Sequence, residues 1–296
     1  MKKLSDHFNL RKSLLNFLQE DVGTGDITSE NLENSNKSVT AKIIFKSDFI
    51  GIVCGIEEVE LLFDICNCNS TPHTLDGMKI SPKENIMEIY GTAKDVLKAE
   101  RIALNLLMRM SGIATSTRKF VDIVHKIDPS ISIASTRKTV PGLRLFDKKA
   151  VVIGGGISHR IRLDDLVMIK NNHIAVDKSI RKIIPSIRKK IGSSLKIECE
   201  VKNEREAIEA IEAGADLIML DNFSVLEAKK TILKIIDEGL RNLVKIEISG
   251  GINLENVLNY AKLKPNIISI GYLTHSAPAL DFSLRVIDKG QKIKRI

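Results

Sequence analysis

From residue 130 onward the chain repeats one unit: a short apolar run, a charged or glycine residue at its end, then a helical stretch. The apolar runs fall at 131–135 (ISIAS), 166–170 (LVMIK), 196–200 (KIECE), 216–220 (DLIML), 244–248 (VKIEI) and 267–271 (IISIG), with helical patterns at 175–190, 203–213, 224–238 and 253–262. Strands alternating with helices at this spacing give a parallel sheet with helices outside it, and the unit length suits a barrel. Glycines in AGAD at 213–216 and DEGL at 237–240 stand where left-handed helix caps belong.

Before residue 92 the pattern differs. Short β-rich runs at 40–55 and 85–91 follow a helical opening at about 7–19, which reads as a small α/β domain. Residues 93–127 have helical periodicity, and Gly112 is expected to divide that stretch into two helices. The run AVVI ahead of Gly154-Gly155-Gly156 reads as strand-like. PALDFSLRVIDKG, in the terminal stretch 278–296, reads as an amphipathic helix that packs back on the first domain, followed by a basic tail. The expected domains are therefore 1–112 joined by a helix in 278–296, and 113–277 as the barrel.

Composition narrows the function. Forty-five Lys and Arg against 37 Asp and Glu leave a net charge of +8, but the lysines are spread over nearly the whole chain and no basic segment is interleaved with aromatics. That argues against a nucleic-acid platform. Cys54, Cys66, Cys68 and Cys199 lack the spacing of a zinc or redox motif and read as reduced structural thiols. No run of about 18 apolar residues appears, so no membrane partner is expected and the location read from the chain is cytoplasmic.

The chemistry concentrates at predicted strand ends. Lys170, Glu200, Asp221, the Ser249-Gly250-Gly251 turn and Gly271 all lie at or just past a carboxyl end, the face on which barrels carry their active sites. Glu200 and Asp221 are carboxylates able to hold Mg²⁺ directly or through water, as is usual when the ion also meets phosphates. The two glycine turns offer backbone N–H groups to a phosphate. Between residues 135 and 173, Arg137, Lys138, Arg144, His159, Arg160, Arg162, Lys170 and His173 cluster around the GGG turn, suggesting a pocket for a polyanionic small molecule.

These motifs, in order, resemble the quinolinate phosphoribosyltransferase family. The resemblance runs through EDVGTGDITS at 20–29, AERIALNLLMRMSGIAT at 99–115, STRKTVPGLR at 135–144, GGGISHR at 154–160, AGADLIMLDN at 213–222, EISGGI at 247–252 and ISIGYLTHSAPALDFSL at 268–284. It implies an incomplete TIM-like α/β barrel with an N-terminal α/β sandwich domain. The implied reaction moves phosphoribose from phosphoribosyl pyrophosphate to quinolinate with decarboxylation, giving nicotinate mononucleotide, pyrophosphate and CO₂ in NAD biosynthesis, with Mg²⁺ as cofactor.

By the same resemblance, Arg137, His159 and Arg160 line the quinolinate carboxylates, and Arg101 enters the site of a partner subunit in a homodimer, with a higher oligomer left open. Lys138 and Lys170 bridge the two substrates, Glu200 and Asp221 face the ribose and Mg²⁺, and Ser249, Gly250, Gly251 and Gly271 hold the 5-phosphate. The chain departs from the family pattern at Ser158, Asn171 and Tyr272, where Asn, Asp and Ala are common.

Overall fold

The structure, a computed structural model, describes residues 10–177 and 179–287. It divides into two compact units, one formed by the chain through Ser116 with Leu145–Gly154 and the residues from Ala277, the other by Thr117–Arg144 and Gly155–Ser276.

The first unit opens with α1 (Leu10–Val22) and the single turn α2 (Ile27–Glu30), then β1 (Ser38–Phe45), β2 (Gly51–Ile52), α3 (Ile56–Ile65), β3 (Asn69–Pro72), β4 (Lys79–Ile80), β5 (Asn85–Thr92) and α4 (Ala93–Val124). Ala41, Ile43 and Phe45 alternate into the core along β1, as a half-buried strand requires. On α4, Val96, Ala99, Ala103 and Leu107 are buried at steps of three and four, the stripe of a helix packed on one face, and from Met110 to Ser116 every residue is buried. Asp26 in the EDVGTGD segment caps α2, its Oδ1 accepting from Ser29 N at 3.0 Å, so that loop has a structural use.

The second unit continues with β6 (Ser132–Ala134). After α5 (Arg144–Ile153) come β7 (Val167–Ile169), α6 (Asn171–Asp177), α7 (Ile180–Ile191), β8 (Ile197–Val201), α8 (Glu204–Glu212), β9 (Leu217–Asp221), α9 (Val225–Asp237), β10 (Lys245–Ser249), α10 (Val257–Ala261), β11 (Ile267–Ser269) and α11 (Tyr272–His275). Six strands form one parallel sheet in the order β6-β11-β10-β9-β8-β7, which leaves β6 and β7 as its two edges. Register aligns Asp221 with Ser249 and Ser249 with Ser269, so these strand ends share one level. All six predicted strands are present, and the architecture is α/β with an antiparallel sheet in the first unit.

Three local expectations are corrected. Gly112 does not break a helix, because α4 is continuous across it. A Cβ there would lie 2.1 Å from the Pro278 carbonyl oxygen and 3.1 Å from Ala279 Cα, so the glycine permits a close backbone crossing. AVVI is the last turn of α5 rather than a strand; four apolar residues carry no period that separates the two.

The segment expected to be a terminal helix is instead strand β12 (Phe282–Ile287), paired antiparallel to β1 with Phe45 opposite Phe282. The two rings pack at 5.1 Å between centroids, and the otherwise open edge of β1 outweighs the local helical pattern. The rest of that expected helix, 288–290, and the basic tail, 291–296, lie outside the described residues, as do residues 7–9 of the opening helix.

The four cysteines are free and buried. No helix among the described residues is long and apolar enough to cross a membrane.

Candidate active site

Lys170 follows β7, and Glu200 is the fourth residue of the adjacent β8. Lys170 Nζ donates to Glu200 Oε2 at 2.5 Å and Asn171 Nδ2 donates to Glu200 Oε1 at 3.2 Å, so each carboxylate oxygen has one donor. Lys170 is half-exposed and Glu200 is buried, which directs the ammonium's free side to solvent. His173, at the start of α6, accepts from the Lys170 backbone N through Nδ1 at 2.9 Å. Its place in the cationic segment is thus explained by capping the turn that carries Lys170.

Asp221 ends β9, and Asn222 Nδ2 donates to its Oδ2 at 2.9 Å. Burial first, and then the Glu200 charge, hold Asp221 above its ordinary value, with Lys170 and Lys138 pulling the other way. The Ser249-Gly250-Gly251 turn follows β10, with Gly250 at φ +94 and Gly251 at φ +60. A Cβ on Gly250 would lie 2.2 Å from Asn222 Oδ1, so the turn and the end of β9 are fitted to one another. Lys138 reaches the same end: a Cβ on Gly271 would meet Lys138 Cδ at 3.2 Å and His275 Nε2 at 3.1 Å. The Lys138 carbonyl accepts from Thr274 Oγ1 at 2.9 Å, which ties the loop after β6 to α11.

Arg137 is exposed on that loop and Arg160 is partly buried. Arg160 is pushed below its ordinary value, by burial first and next by the Arg137 guanidinium. Two like charges near enough for one to depress the other favour an anion beside them. Arg160 also donates to the Leu166 carbonyl at 3.3 Å, and Arg144 to Thr139 Oγ1 at 3.1 Å and the Ile161 carbonyl at 3.3 Å, which orders the loops around them. Arg162 turns to Asp164 at the surface. Arg101 is exposed on α4 in the first unit.

Two residues central to the site lay outside the sequence reading. Glu198 on β8 and Glu247 on β10 are fully buried, each two positions before a strand-end residue and so on the same face of its strand. His159 Nε2 lies 2.9 Å from Glu247 Oε2 and 3.5 Å from Glu198 Oε2. Burial, and then the Glu247 charge, push the Glu198 carboxyl up to about 9. The alternating acids of KIECE and VKIEIS are the signal that could have revealed them: acids two apart on a core strand share one face.

His159, Glu198 and Glu247 are also the one group of three or more such side chains, among the described residues, able to hold a metal ion. A cavity of about 840 Å³ opens beside α7, α8 and α9, lined by Arg181, Glu204, Glu209 and Lys234, and none of the strand-end residues lines it.

The family model for the quinolinate phosphoribosyl transferase C-terminal domain matches residues 113–285, and that for the N-terminal domain matches residues 26–111. The chain is 43% identical over 263 residues to a probable carboxylating nicotinate-nucleotide pyrophosphorylase of Archaeoglobus fulgidus, covering 89% of this chain and 98% of the relative. It is 38% identical over 241 residues to the human carboxylating nicotinate-nucleotide pyrophosphorylase, covering 81% and 80%. The solved nicotinate-nucleotide pyrophosphorylase of Ehrlichia chaffeensis superposes with a TM-score of 0.87 at 35% identity, covering 95% of this chain and 100% of that one. With both domain models matched in order along most of its length, the chain belongs to the quinolinate phosphoribosyltransferase family.

Proposed function

We propose that the protein transfers phosphoribose from phosphoribosyl pyrophosphate to the ring nitrogen of quinolinate, with loss of the 2-carboxyl group, in NAD biosynthesis. The observation that carries this reading is the pairing of an anion-seeking guanidinium pair, Arg137 and Arg160, with a phosphate-type turn at Ser249–Gly251 on one barrel unit. Family membership and the shared description of relatives aligned over most of their length support it.

In this reading Arg137, Arg160 and His159 receive the two adjacent carboxylates, whose desolvation demands paired cations. Arginine's planar fork suits a carboxylate in a way lysine does not. The N–H groups of Ser249–Gly251 and Gly271 take the 5-phosphate. As the bond from C1 of ribose to pyrophosphate breaks and the bond to the ring nitrogen forms, positive charge develops on the sugar. Glu200 and Asp221 stabilise that charge, while Lys138 and Lys170 neutralise the departing pyrophosphate. As CO₂ leaves, the electron pair stays on the ring carbon beside the quaternised nitrogen, whose positive charge stabilises it, and that carbon then takes a proton from water. No protein nucleophile is needed.

Mg²⁺ fits Glu200 and Asp221, two neighbouring carboxylates, with Asp221 raised by burial first and then by the Glu200 charge. Both Glu200 oxygens already have donors, which favours contact through water. When bound, the ion neutralises pyrophosphate charge. The reading further includes a homodimer in which Arg101 completes the partner's site, and a cytoplasmic location.

The test is donor-dependent release of label from quinolinate carboxyl-labelled at position 2, in wild type and Arg137→Ala. Release that requires phosphoribosyl pyrophosphate and is lost in the variant supports the reading. A folded wild type that releases no label in the presence of the donor and Mg²⁺ refutes it.

A further inference from the structure

His159 is constrained from both ends. Its backbone adopts φ +50, a sparsely populated conformation for a residue with a side chain, so its surroundings must hold it there. They do so through a bridge between Ala134 and Ile157 and a hydrogen bond from Ser135 Oγ to the Ser158 carbonyl at 3.0 Å. The ring is then met by Glu247 at 2.9 Å, with Glu198 behind it at 3.5 Å.

Both carboxyls are fully buried, and neither Glu198 oxygen nor Glu247 Oε1 has a hydrogen-bond partner among the described residues. An acidic pair of this kind costs stability relative to apolar side chains of similar volume. What it provides is direction. A carboxylate accepting from one ring nitrogen settles which face of an imidazole points inward and which nitrogen remains for a ligand.

We propose that Glu247, backed by Glu198, is a positioning residue that holds Nε2–H of His159 inward and so presents Nδ1 to a carboxylate of the substrate. The inference rests on the dicarboxylate reading of the site. With substrate bound, a ring protonated on both nitrogens satisfies Glu247 and the ligand carboxylate together, which a freely rotating imidazole would do only part of the time. Mg²⁺ is a poor alternative occupant: it takes oxygen ligands octahedrally and keeps several waters, whereas two of these side chains are fully buried and the third offers a nitrogen.

The experiment pairs steady-state kinetics with ¹⁵N NMR of the histidine rings, His159 being assigned by its absence from His159→Gln. Glu247→Gln keeps the size and an acceptor oxygen but loses the charge. It should raise the KM for quinolinate about tenfold, the scale of one weakened charge-assisted hydrogen bond, and leave the KM for phosphoribosyl pyrophosphate within about twofold. In the free wild type the His159 Nε2 should carry the proton, and Nδ1 should gain one when quinolinate is added.

An active wild type whose Glu247→Gln variant keeps the quinolinate KM would overturn the proposal, as would a free protein with the proton on Nδ1. A stoichiometric transition metal that copurifies with wild type and is lost in the variant would overturn it too. If the wild type fails to turn over, the dicarboxylate reading fails instead, and the proton position in the free protein still decides whether Glu247 orients the ring.

Discussion

Replacing Gly250 by alanine tests whether the turn after β10 is built around the end of β9. Gly250 sits at φ +94, where a Cβ costs about 1–2 kcal/mol. The added carbon would lie 2.2 Å from Asn222 Oδ1, 2.6 Å from its Cγ and 2.8 Å from its backbone N, whereas ordinary contact begins near 3.4 Å. The side chain can swing away, but the backbone N cannot, because it donates to the Ser249 carbonyl at 2.9 Å. Swinging Asn222 also breaks its bond to Asp221, a loss of about 0.5–1.5 kcal/mol. The total of about 1.5–3.5 kcal/mol corresponds to a Tm lowered by about 3–14 °C. Turnover should show a KM for phosphoribosyl pyrophosphate raised at least about tenfold, since the N–H groups of the turn are displaced. Differential scanning calorimetry and initial rates measure both. A variant with unchanged Tm and unchanged donor KM would refute the reasoning.

Gly112→Ala should be as damaging for a different reason: its Cβ would meet backbone, 2.1 Å from the Pro278 carbonyl, and should dislodge the strap leading to β12, lowering the Tm while exposing β12 to limited proteolysis. Lys149→Met removes the cation that bonds buried Glu58 at 2.8 Å and should cost on the order of 3 kcal/mol in chemical denaturation, with Glu58→Gln in the same background restoring much of it. Glu198 is raised to about 9, so the folded state keeps a proton that the unfolded chain releases above its ordinary value near 4.5. That contribution is fully present below pH 4.5 and is lost as pH rises toward 9, so Glu198→Gln should gain Tm relative to wild type as pH rises from 5 to 9. A constant difference across that range would contradict the assignment.

The strand rhythm after residue 130 was legible because each β-strand is a short apolar run closed by a polar residue, and the parallel sheet follows from the intervening helices. Lys170, Glu200 and Asp221 were legible for the same reason, as they stand where the apolar run stops. Glu198 and Glu247 were not, because an acid inside an apolar run reads locally as a solvent-facing position, and only the packing of the folded sheet buries that face. Gly112 was misread because its crossing partner, Pro278, is remote in sequence. The terminal strand was misread because its conformation is set by the open edge of β1, a tertiary demand that no local pattern contains.

The most direct test of the central claim is a mass balance under single-turnover conditions, using quinolinate ¹³C-labelled at the 2-carboxyl group with phosphoribosyl pyrophosphate and Mg²⁺, followed by ¹³C and ³¹P NMR. The account predicts equal amounts of CO₂, pyrophosphate and nicotinate mononucleotide. Pyrophosphate release with no CO₂, or CO₂ with the donor intact, would contradict it.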